Sequence, residues 1–200
     1  MTLKPSTESL QWDQIFHQPN QPYHLDLGCG AGHYLAKLAT KNPKINYVGV
    51  EIHETLAKLA NEEHALLGNY SIVWANLLHH QTMDLLLASL PKGEPSSVSI
   101  LHPDPNFKKK HKKRDVVTAG LVERFHHDLL PGTLVYVQSD VKEVQLEMNA
   151  LFTATSSGFE SMELFHDAPL LGIPTDREIA AVEDGGHIYR NIYRRVYDLV

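Results

Sequence analysis

Residues 23–32 of this 200-residue chain read YHLDLGCGAG, a short apolar strand that runs directly into a glycine-rich turn. In the next segment, residues 33–39, apolar side chains recur at helical spacing, and Asn42-Pro43 closes it. A buried strand, a glycine turn and a helix in succession are typical of the first repeating unit of a parallel α/β sheet.

Strands and helices continue to alternate outward from this unit. Strands are predicted at residues 46–50, 71–74, 97–101 and 133–138, and helices at 53–67, 81–90, 116–130 and 141–153. Two late segments, 159–165 and 186–196, are predicted to be antiparallel strands. The pattern predicts an α/β fold with a mostly parallel, seven-stranded sheet and helices on both faces.

The domain organisation is expected to be simple. Residues 1–22 form a polar N-terminal extension in which Leu10, Trp12, Ile15 and Phe16 predict a short helix docked on the body. Residues 23–200 are then expected to form a single domain, as their number suggests.

Composition excludes several classes of protein. Apolar residues make up 42% and charged residues 21% of the chain, as in globular domains and unlike disordered ones. The single cysteine excludes an intrachain disulfide framework, and the histidine pairs 79–80 and 126–127 lack companions at zinc-like spacing, so we expect no metal. The N-terminal residues lack the apolar core of a signal peptide, and no stretch approaches the roughly 18 apolar residues of a membrane span. We expect a cytoplasmic protein without a membrane partner; monomer and homodimer stay open.

The charge is unevenly distributed. The net charge is −6, from 18 Lys and Arg against 24 Asp and Glu. Residues 108–114, KKKHKKR, hold six of the positive charges, which leaves 12 basic against 24 acidic residues elsewhere. A locally basic segment on an acidic body favours a polyanionic partner.

In an open parallel sheet, ligands bind beyond the carboxyl ends of the strands. Small or acidic side chains follow every predicted strand of the parallel part of the sheet. The residues that follow the five strands are Gly28-Cys29-Gly30-Ala31-Gly32, Glu51-Ile52-His53, Asn76, Asp104 and Ser139-Asp140. Their recurrence predicts a functional site at this edge.

The first two of these groups indicate a nucleoside-type cofactor. Glu51 ends the second strand, 19 residues beyond Gly32, where a carboxylate can accept both ribose hydroxyls. His33 stands where a dinucleotide fingerprint requires glycine. Two plainer interpretations stay open: tight-turn glycines at 28 and 32, and a helix N-terminal charge at Glu51. Cys29 is interpreted as a small filler of the turn and not as a nucleophile.

The segment after the fourth strand, residues 101–114, reads LHPDPNFKKKHKKR. Two prolines fix the backbone around Asp104. Phe107 can stack on a base and the lysines can pair with phosphates, while the acid can bond a base edge. A solvated lysine loop without a partner is the alternative.

These motifs carry a family resemblance. Asp26 to Gly32 resembles motif I of the class I methyltransferases, and the PDP-x-x-K-x-x-H-x-K-R pattern of residues 103–114 resembles the tRNA (guanine-N7)-methyltransferase family. Ser139-Asp140 and Thr175-Asp176-Arg177-Glu178 are similar to two further elements of that family. The sequence departs from the family pattern at Asn106-Phe107, Asn76 and Ser139.

The resemblance implies a Rossmann-like fold and methyl transfer from S-adenosylmethionine to N7 of guanosine 46 in the variable loop of tRNA. It implies cofactor contacts at Asp26, Gly28, Cys29, Gly30, Gly32, Glu51, Ile52, Asn76, Leu77 and Asp104, of which Asp104 is also catalytic. It implies substrate contacts at Phe107, Lys108, Lys110, His111, Lys113, Arg114, Asp140, Thr175, Arg177 and Glu178.

Other interpretations stay open beside it. A second basic group near the C-terminus is expected to contact phosphates or to form surface ion pairs: Arg177, Arg190, Arg194 and Arg195. A methyltransferase for another RNA or a small molecule, and a catalytically silent RNA-binding subunit, are the rival functions. The intact glycine turn and Glu51 disfavour the silent subunit, and the lysine run disfavours a small-molecule substrate.

Overall fold

The computed structural model describes residues 11–77, 95–105, 116–154, 157–162 and 168–196. Within these residues, seven strands belong to one mostly parallel sheet, in the order β3-β2-β1-β4-β5-β7-β6, which confirms the predicted α/β fold. The predicted helix at 81–90 lies outside the described residues. The chain divides into two compact units, Met1–Ser96 and Ser97–Val200.

The first unit alternates strands and helices as predicted. Its elements are α1 (Trp12–Ile15), β1 (Tyr23–Leu27), α2 (His33–Lys41), β2 (Asn46–Glu51), α3 (Glu54–Glu63) and β3 (Tyr70–Trp74). β2 pairs in parallel with β1 on one side and β3 on the other, with Val48 opposite Leu25 and Ser71. Every residue of β1 and β2 is buried, as expected for central strands of a parallel sheet.

The helices of the first unit bury different kinds of side chain. α2 buries Tyr34, Leu35 and Leu38, and full burial of each leucine contributes about 1.5–3 kcal/mol of transfer free energy. α3 buries only Ala57 and Ala60, so its apolar contribution is small.

α3 also ends earlier than the predicted residue 67. A turn follows it and leads to Asn69, whose side-chain amide donates to the carbonyls of Ala39 and Ile45 at 3.0 and 2.9 Å. The residues between α3 and Asn69, which the sequence predicts to be the end of the helix, therefore form a turn.

The N-terminal segment docks on this unit, as predicted. Trp12 stacks on Phe16 with ring centroids 5.2 Å apart, and both side chains are buried. The backbone N–H of His17 donates to the Gly68 carbonyl at 2.8 Å. Leu10 of the predicted helix lies outside the described residues.

The second unit contains the remaining strands, apart from the first two residues of β4. Its elements are β4 (Pro95–Leu101), α4 (Ala119–Asp128), β5 (Leu134–Ser139), α5 (Lys142–Phe152), β6 (Phe159–Ser161), α6 (Asp176–Glu183) and β7 (Tyr189–Arg195). β4 and β5 are parallel, whereas β7 is antiparallel to both β5 and β6, which confirms the two late antiparallel strands. Phe152 stacks on Tyr193 at 4.8 Å in the core of this unit.

Two helices of the second unit differ from the sequence-based expectation. The helix predicted at 116–130 begins only at Ala119, because the Thr118 hydroxyl caps it by accepting from the Leu121 N–H at 3.1 Å. The pattern of apolar residues does not predict α6. Thr175 caps this helix by accepting from the Glu178 N–H at 3.0 Å, so the T-x-x-E motif is also a helix start.

Candidate functional site

Glu51 organises the candidate cofactor residues of the first unit. Its Oε2 accepts from the Gly30 N–H at 3.0 Å, and its Oε1 accepts from the His53 N–H at 2.8 Å and lies 2.7 Å from His53 Nδ1. The Glu51 side chain is 7% exposed, whereas that of His53 is 72% exposed. A carboxylate offers about four acceptor positions, so Glu51 Oε2 retains capacity for a further hydroxyl.

The three glycines of the turn serve different purposes. Gly28, Gly30 and Gly32 have φ values of 82°, 57° and 75°, in the left-handed region that favours glycine. A Cβ at Gly28 or Gly30 would meet no described atom within 4 Å, whereas one at Gly32 would lie 2.1 Å from Tyr70 Oη. Gly28 and Gly30 thus leave their backbone open to a ligand, and Gly32 allows close packing against β3.

The Cys29 side chain fills space between the glycine turn and β2. Its Sγ lies so close to β2 that a Cβ on Gly49 would come within 2.6 Å of it. Burial, followed by the negative charges of Asp26 and Glu51, raises the pKa of the Cys29 thiol well above its usual range. The thiol therefore stays protonated at neutral pH and is a poor nucleophile.

The other cofactor candidates of the first unit lie in or just after its strands. Asp26 is buried in β1. Ile52 is 49% exposed, and its carbonyl accepts from Trp74 Nε1 at 2.9 Å. Asn76 and Leu77 are half-buried and follow β3. Because the three strands are parallel neighbours, Ile52, Asn76 and the glycine turn follow them at one edge.

In the second unit, Asp104 follows β4 and is exposed. His102, two residues earlier, has a φ of 52°, an uncommon conformation for a residue with a side chain. The basic segment lies beyond this point. Phe107, Lys108, Lys110, His111, Lys113 and Arg114 all lie outside the described residues, so their predicted substrate contacts stay predictions.

Asp140, at the end of β5, is bonded from two sides. Its Oδ1 lies 3.1 Å from His102 Nδ1, and its Oδ2 accepts from Arg177 Nε and Nη2 at 2.9 and 2.8 Å. Partial burial alone would raise the pKa of the Asp140 carboxyl, but the bonds from His102 and Arg177 outweigh it and hold the pKa below its usual range. Asp140 is therefore ionised at neutral pH.

Glu178 takes part in a buried polar network. Its Oε1 pairs with Arg190 Nη2, and its Oε2 accepts from Gln138 Nε2 at 3.1 Å. The Arg190 and Glu178 side chains are 8% and 5% exposed. Gln138 Oε1 accepts from Arg190 Nε at 2.9 Å, and Gln138 Nε2 lies 2.8 Å from His102 Nε2.

Sequence reasoning does not single out His102 or Gln138. A glutamine inside the apolar strand sequence LVYVQS is the available signal for Gln138, because a buried amide needs hydrogen-bond partners.

The C-terminal arginines are mostly inside this unit. Arg190 and Arg195 are buried, which is not the surface position expected from phosphate contacts or surface ion pairs. Arg195 Nε donates to the His126 carbonyl at 2.9 Å. Arg194 is half-exposed and pairs with Glu160, in agreement with the ion-pair interpretation.

Comparison with known proteins places the chain in a family. Residues 20–191 match the model of a family described as "Putative methyltransferase". The tRNA (guanine-N(7)-)-methyltransferase of Microcystis aeruginosa (strain NIES-843 / IAM M-2473) is 36% identical over 190 residues, covering 92% of this chain and 87% of that protein. The protein of the same name from Synechococcus elongatus is 40% identical over 190 residues, covering 92% of this chain and 86% of that one. The chain belongs to the tRNA (guanine-N7)-methyltransferase family. This membership confirms the resemblance carried by the sequence motifs.

Solved structures show that this family member has a methyltransferase fold. The 16S rRNA methyltransferase KamB matches with a TM-score of 0.58 and 16% identity over 96% of each chain. An antibiotic-related methyltransferase matches with a TM-score of 0.56 and 17% identity over 95% of each chain.

Two properties of the described residues of this methyltransferase concern metal binding and membrane insertion. In the ranges that the structure covers, no group of three or more His, Cys, Asp or Glu side chains could hold a metal ion. No described helix combines the length and apolarity needed to cross a membrane.

Proposed function

We propose that this chain transfers a methyl group from S-adenosylmethionine to N7 of guanosine 46 in the variable loop of tRNA. The observation that carries the proposal is the match of about nine-tenths of the chain to proteins named for guanine-N7 methylation of tRNA. The family resemblance of residues 26–32 supports S-adenosylmethionine as the methyl donor. The family resemblance of residues 103–114 supports guanosine 46 of tRNA as the acceptor.

The proposed methyl transfer requires no general base from the protein. N7 of guanine carries an in-plane lone pair and no proton, so no general base is needed. Bound S-adenosylmethionine supplies an electrophilic methyl group on a sulfonium centre. Because the guanine becomes cationic as the new bond forms, the protein contributes by positioning the base and by placing negative charge near it.

The first unit has side chains that fit the donor. Gly28 and Gly30 leave space beside their backbone, which lets a ligand approach closely. The free acceptor capacity of Glu51 suits a ribose hydroxyl, and its bond to the Gly30 N–H couples ribose recognition to the shape of the turn. We assign Asp26 to the ammonium group of the donor, as the family resemblance implies.

The second unit supplies the carboxylates for the guanine. Asp104 is exposed and lies between two prolines that restrict its backbone. Asp140 is ionised and carries the exposed Arg177 beside it, a side chain suited to a phosphate. Both oxygens of Glu178 are engaged by Gln138 and Arg190, so we assign Glu178 to supporting this cluster.

Labelled cofactor tests the proposal. The purified chain is incubated with methyl-labelled S-adenosylmethionine and unmodified tRNA, and the label is mapped by cleavage at 7-methylguanosine. Asp104→Ala should abolish transfer while calorimetry shows nearly unchanged cofactor binding. Asp184→Ala, which removes an exposed carboxylate at the end of α6, is the matched control. Label in another RNA, or no transfer at all, would favour a rival function.

Glu51→Gln tests the cofactor assignment separately. Replacing a charged acceptor by a neutral one should weaken cofactor binding by about 1.5–3 kcal/mol, roughly 10- to 150-fold, and leave tRNA affinity unchanged. Glu54→Gln, at the start of α3, is the control because that side chain pairs only with Lys58 among the described contacts. Weakened tRNA binding with normal cofactor affinity would refute the ribose role.

A further inference from the structure

Both ring nitrogens of His102 are engaged by side chains of strand β5 and the residue after it. Nδ1 lies 3.1 Å from Asp140 Oδ1, and Nε2 lies 2.8 Å from Gln138 Nε2. The backbone is held as well, since the His102 N–H donates to the Gln138 carbonyl at 2.7 Å. The His102 side chain is 7% exposed, so these bonds are shielded from water.

The hydrogen-bond directions in this cluster admit one arrangement. Arg190 can only donate, so the oxygen of the Gln138 amide must face it and the nitrogen must face His102 and Glu178. His102 Nε2 must then accept. The proton of the neutral ring is therefore on Nδ1, where it is donated to Asp140.

This arrangement disfavours a charged ring. Burial lowers the pKa of His102, although Asp140 and Glu178 act in the opposite direction. Arg177, bonded to the other oxygen of Asp140, adds to the lowering. Protonation at Nε2 would also set an N–H against the amide donor of Gln138. His102 thus stays neutral near pH 7 and contributes geometry rather than a proton.

His102 also shapes the chain that carries Asp104. Its φ of 52° costs about 1–2 kcal/mol for a residue with a Cβ, so the surrounding contacts must maintain it. Pro103 follows and restricts the next φ, which leaves little freedom before Asp104. The orientation of this loop therefore depends on the ring contacts of His102.

We propose that His102 is a positioning residue of the methyl-transfer site, whose ring clamp between Gln138 and Asp140 fixes both the Asp104 loop and the Asp140 carboxylate. The inference rests on the proposed function, in which these two carboxylates contact the guanine. Misplacing a reacting group by about 1 Å costs on the order of 100-fold in rate. The effect should appear in kcat, because both ring nitrogens of His102 are engaged by protein side chains and the residue acts by positioning.

Three variants test the clamp in enzyme first shown to be active. His102→Ala removes both ring contacts and should lower kcat by about 100-fold, with cofactor Kd and tRNA KM within roughly twofold. His102→Asn tolerates the left-handed backbone and places an amide donor near Asp140, so it should recover most of the activity. His127→Ala, which removes a histidine that is 84% exposed, should match the wild type. An unchanged kcat in His102→Ala, or no recovery in His102→Asn, would overturn the proposal.

An NMR measurement on the unmodified chain keeps the clamp testable without activity. Nitrogen-15 shifts of the imidazole, assigned by their disappearance in either His102 variant, should report a neutral ring in the Nδ1–H form at about pH 7.5. An Nε2–H form at that pH would refute the clamp. If the wild type methylates no tRNA, the proposed function fails, and the NMR result still decides whether the clamp exists.

Discussion

Two glycines of the same turn, Gly30 and Gly32, differ in what a side chain would meet. Gly32→Ala would combine a left-handed backbone with a Cβ 2.1 Å from Tyr70 Oη and 2.4 Å from Ile72 Cδ1. We predict a decrease of about 2–5 kcal/mol in the free energy of unfolding, from backbone strain and overpacking together. Urea denaturation followed by circular dichroism measures it.

Gly30→Ala is the matched variant, because its Cβ would meet no described atom within 4 Å. The free energy of unfolding should therefore decrease only by the backbone cost of the left-handed conformation, about 1–2 kcal/mol. Its main effect should be on cofactor affinity, since the new methyl group would occupy the open side of the turn. Equal decreases of stability in the two variants would contradict the different roles of these glycines.

A buried histidine in β1 makes the stability of the fold depend on pH. His24 is 1% exposed, and burial lowers its pKa from 6.5 to about 3. The unfolded chain therefore binds a proton below pH 6.5, whereas the folded chain does not until about pH 3. Unfolding is favoured increasingly across this window, so stability falls as the pH is lowered and the contribution is fully present above pH 6.5.

His24→Phe should flatten this dependence. The variant keeps an aromatic ring beside Tyr47 and removes the titrating group. Between about pH 6.5 and 4.5 the stability of the wild type should fall by roughly 2–3 kcal/mol more than that of the variant, at about 1.4 kcal/mol per pH unit. Urea titrations at these two pH values supply the comparison, and parallel decreases would show that His24 does not remain neutral.

At the scale of elements, a buried ion pair fastens α6 to β7. Glu178 and Arg190 are both nearly inaccessible, and Gln138 of β5 bonds both side chains. Arg190→Met should destabilise the chain by about 3–5 kcal/mol, because it leaves the buried Glu178 carboxylate without its positively charged partner. Adding Glu178→Leu should restore much of the stability, as urea denaturation would detect. A double variant as unstable as the single one would contradict this explanation.

The central strands β1, β2, β3 and β5 can be predicted from the sequence because their burial on both faces makes them mostly apolar. The observed bounds of β1 match the prediction, and β3 begins one residue earlier than expected. α6 cannot be found in this way. Among its eight residues only Glu178 is buried, so the helix has no apolar stripe, and the N-cap residue Thr175 at its start is the available signal.

The candidate site is predictable to the extent that it is local in sequence. The glycine turn and Glu51 are close along the chain, and their spacing is informative. The cluster around His102 depends on the register of β5 against β7, which places Gln138 opposite Arg190. Register and the left-handed turn at His102 arise from tertiary packing, so periodicity does not reveal them.

At the scale of the whole molecule, binding of tRNA has to overcome a net charge of −6. Residues 108–114 carry six positive charges on this otherwise acidic chain. Replacing Lys109, Lys110, Lys112 and Lys113 by alanine should weaken tRNA binding and flatten the dependence of log Kd on log salt. The slope should fall by up to about 0.7–0.9 for each phosphate that a lysine no longer neutralises.

Fluorescence anisotropy at several salt concentrations measures that slope. Lys37, Lys41, Lys44 and Lys58 replaced together form the control, because they remove the same charge from elsewhere in the chain. An identical change of slope in both variants would mean that only net charge matters.

The proposed reaction depends above all on N7 of guanosine 46 being the methyl acceptor. The most direct measurement compares two synthetic tRNAs, one with guanosine and one with 7-deazaguanosine at position 46, which replaces the acceptor nitrogen by carbon. We predict stoichiometric transfer of labelled methyl to the first and none to the second, with equal affinity for both. Transfer of label to the 7-deaza tRNA at the same rate would contradict this assignment.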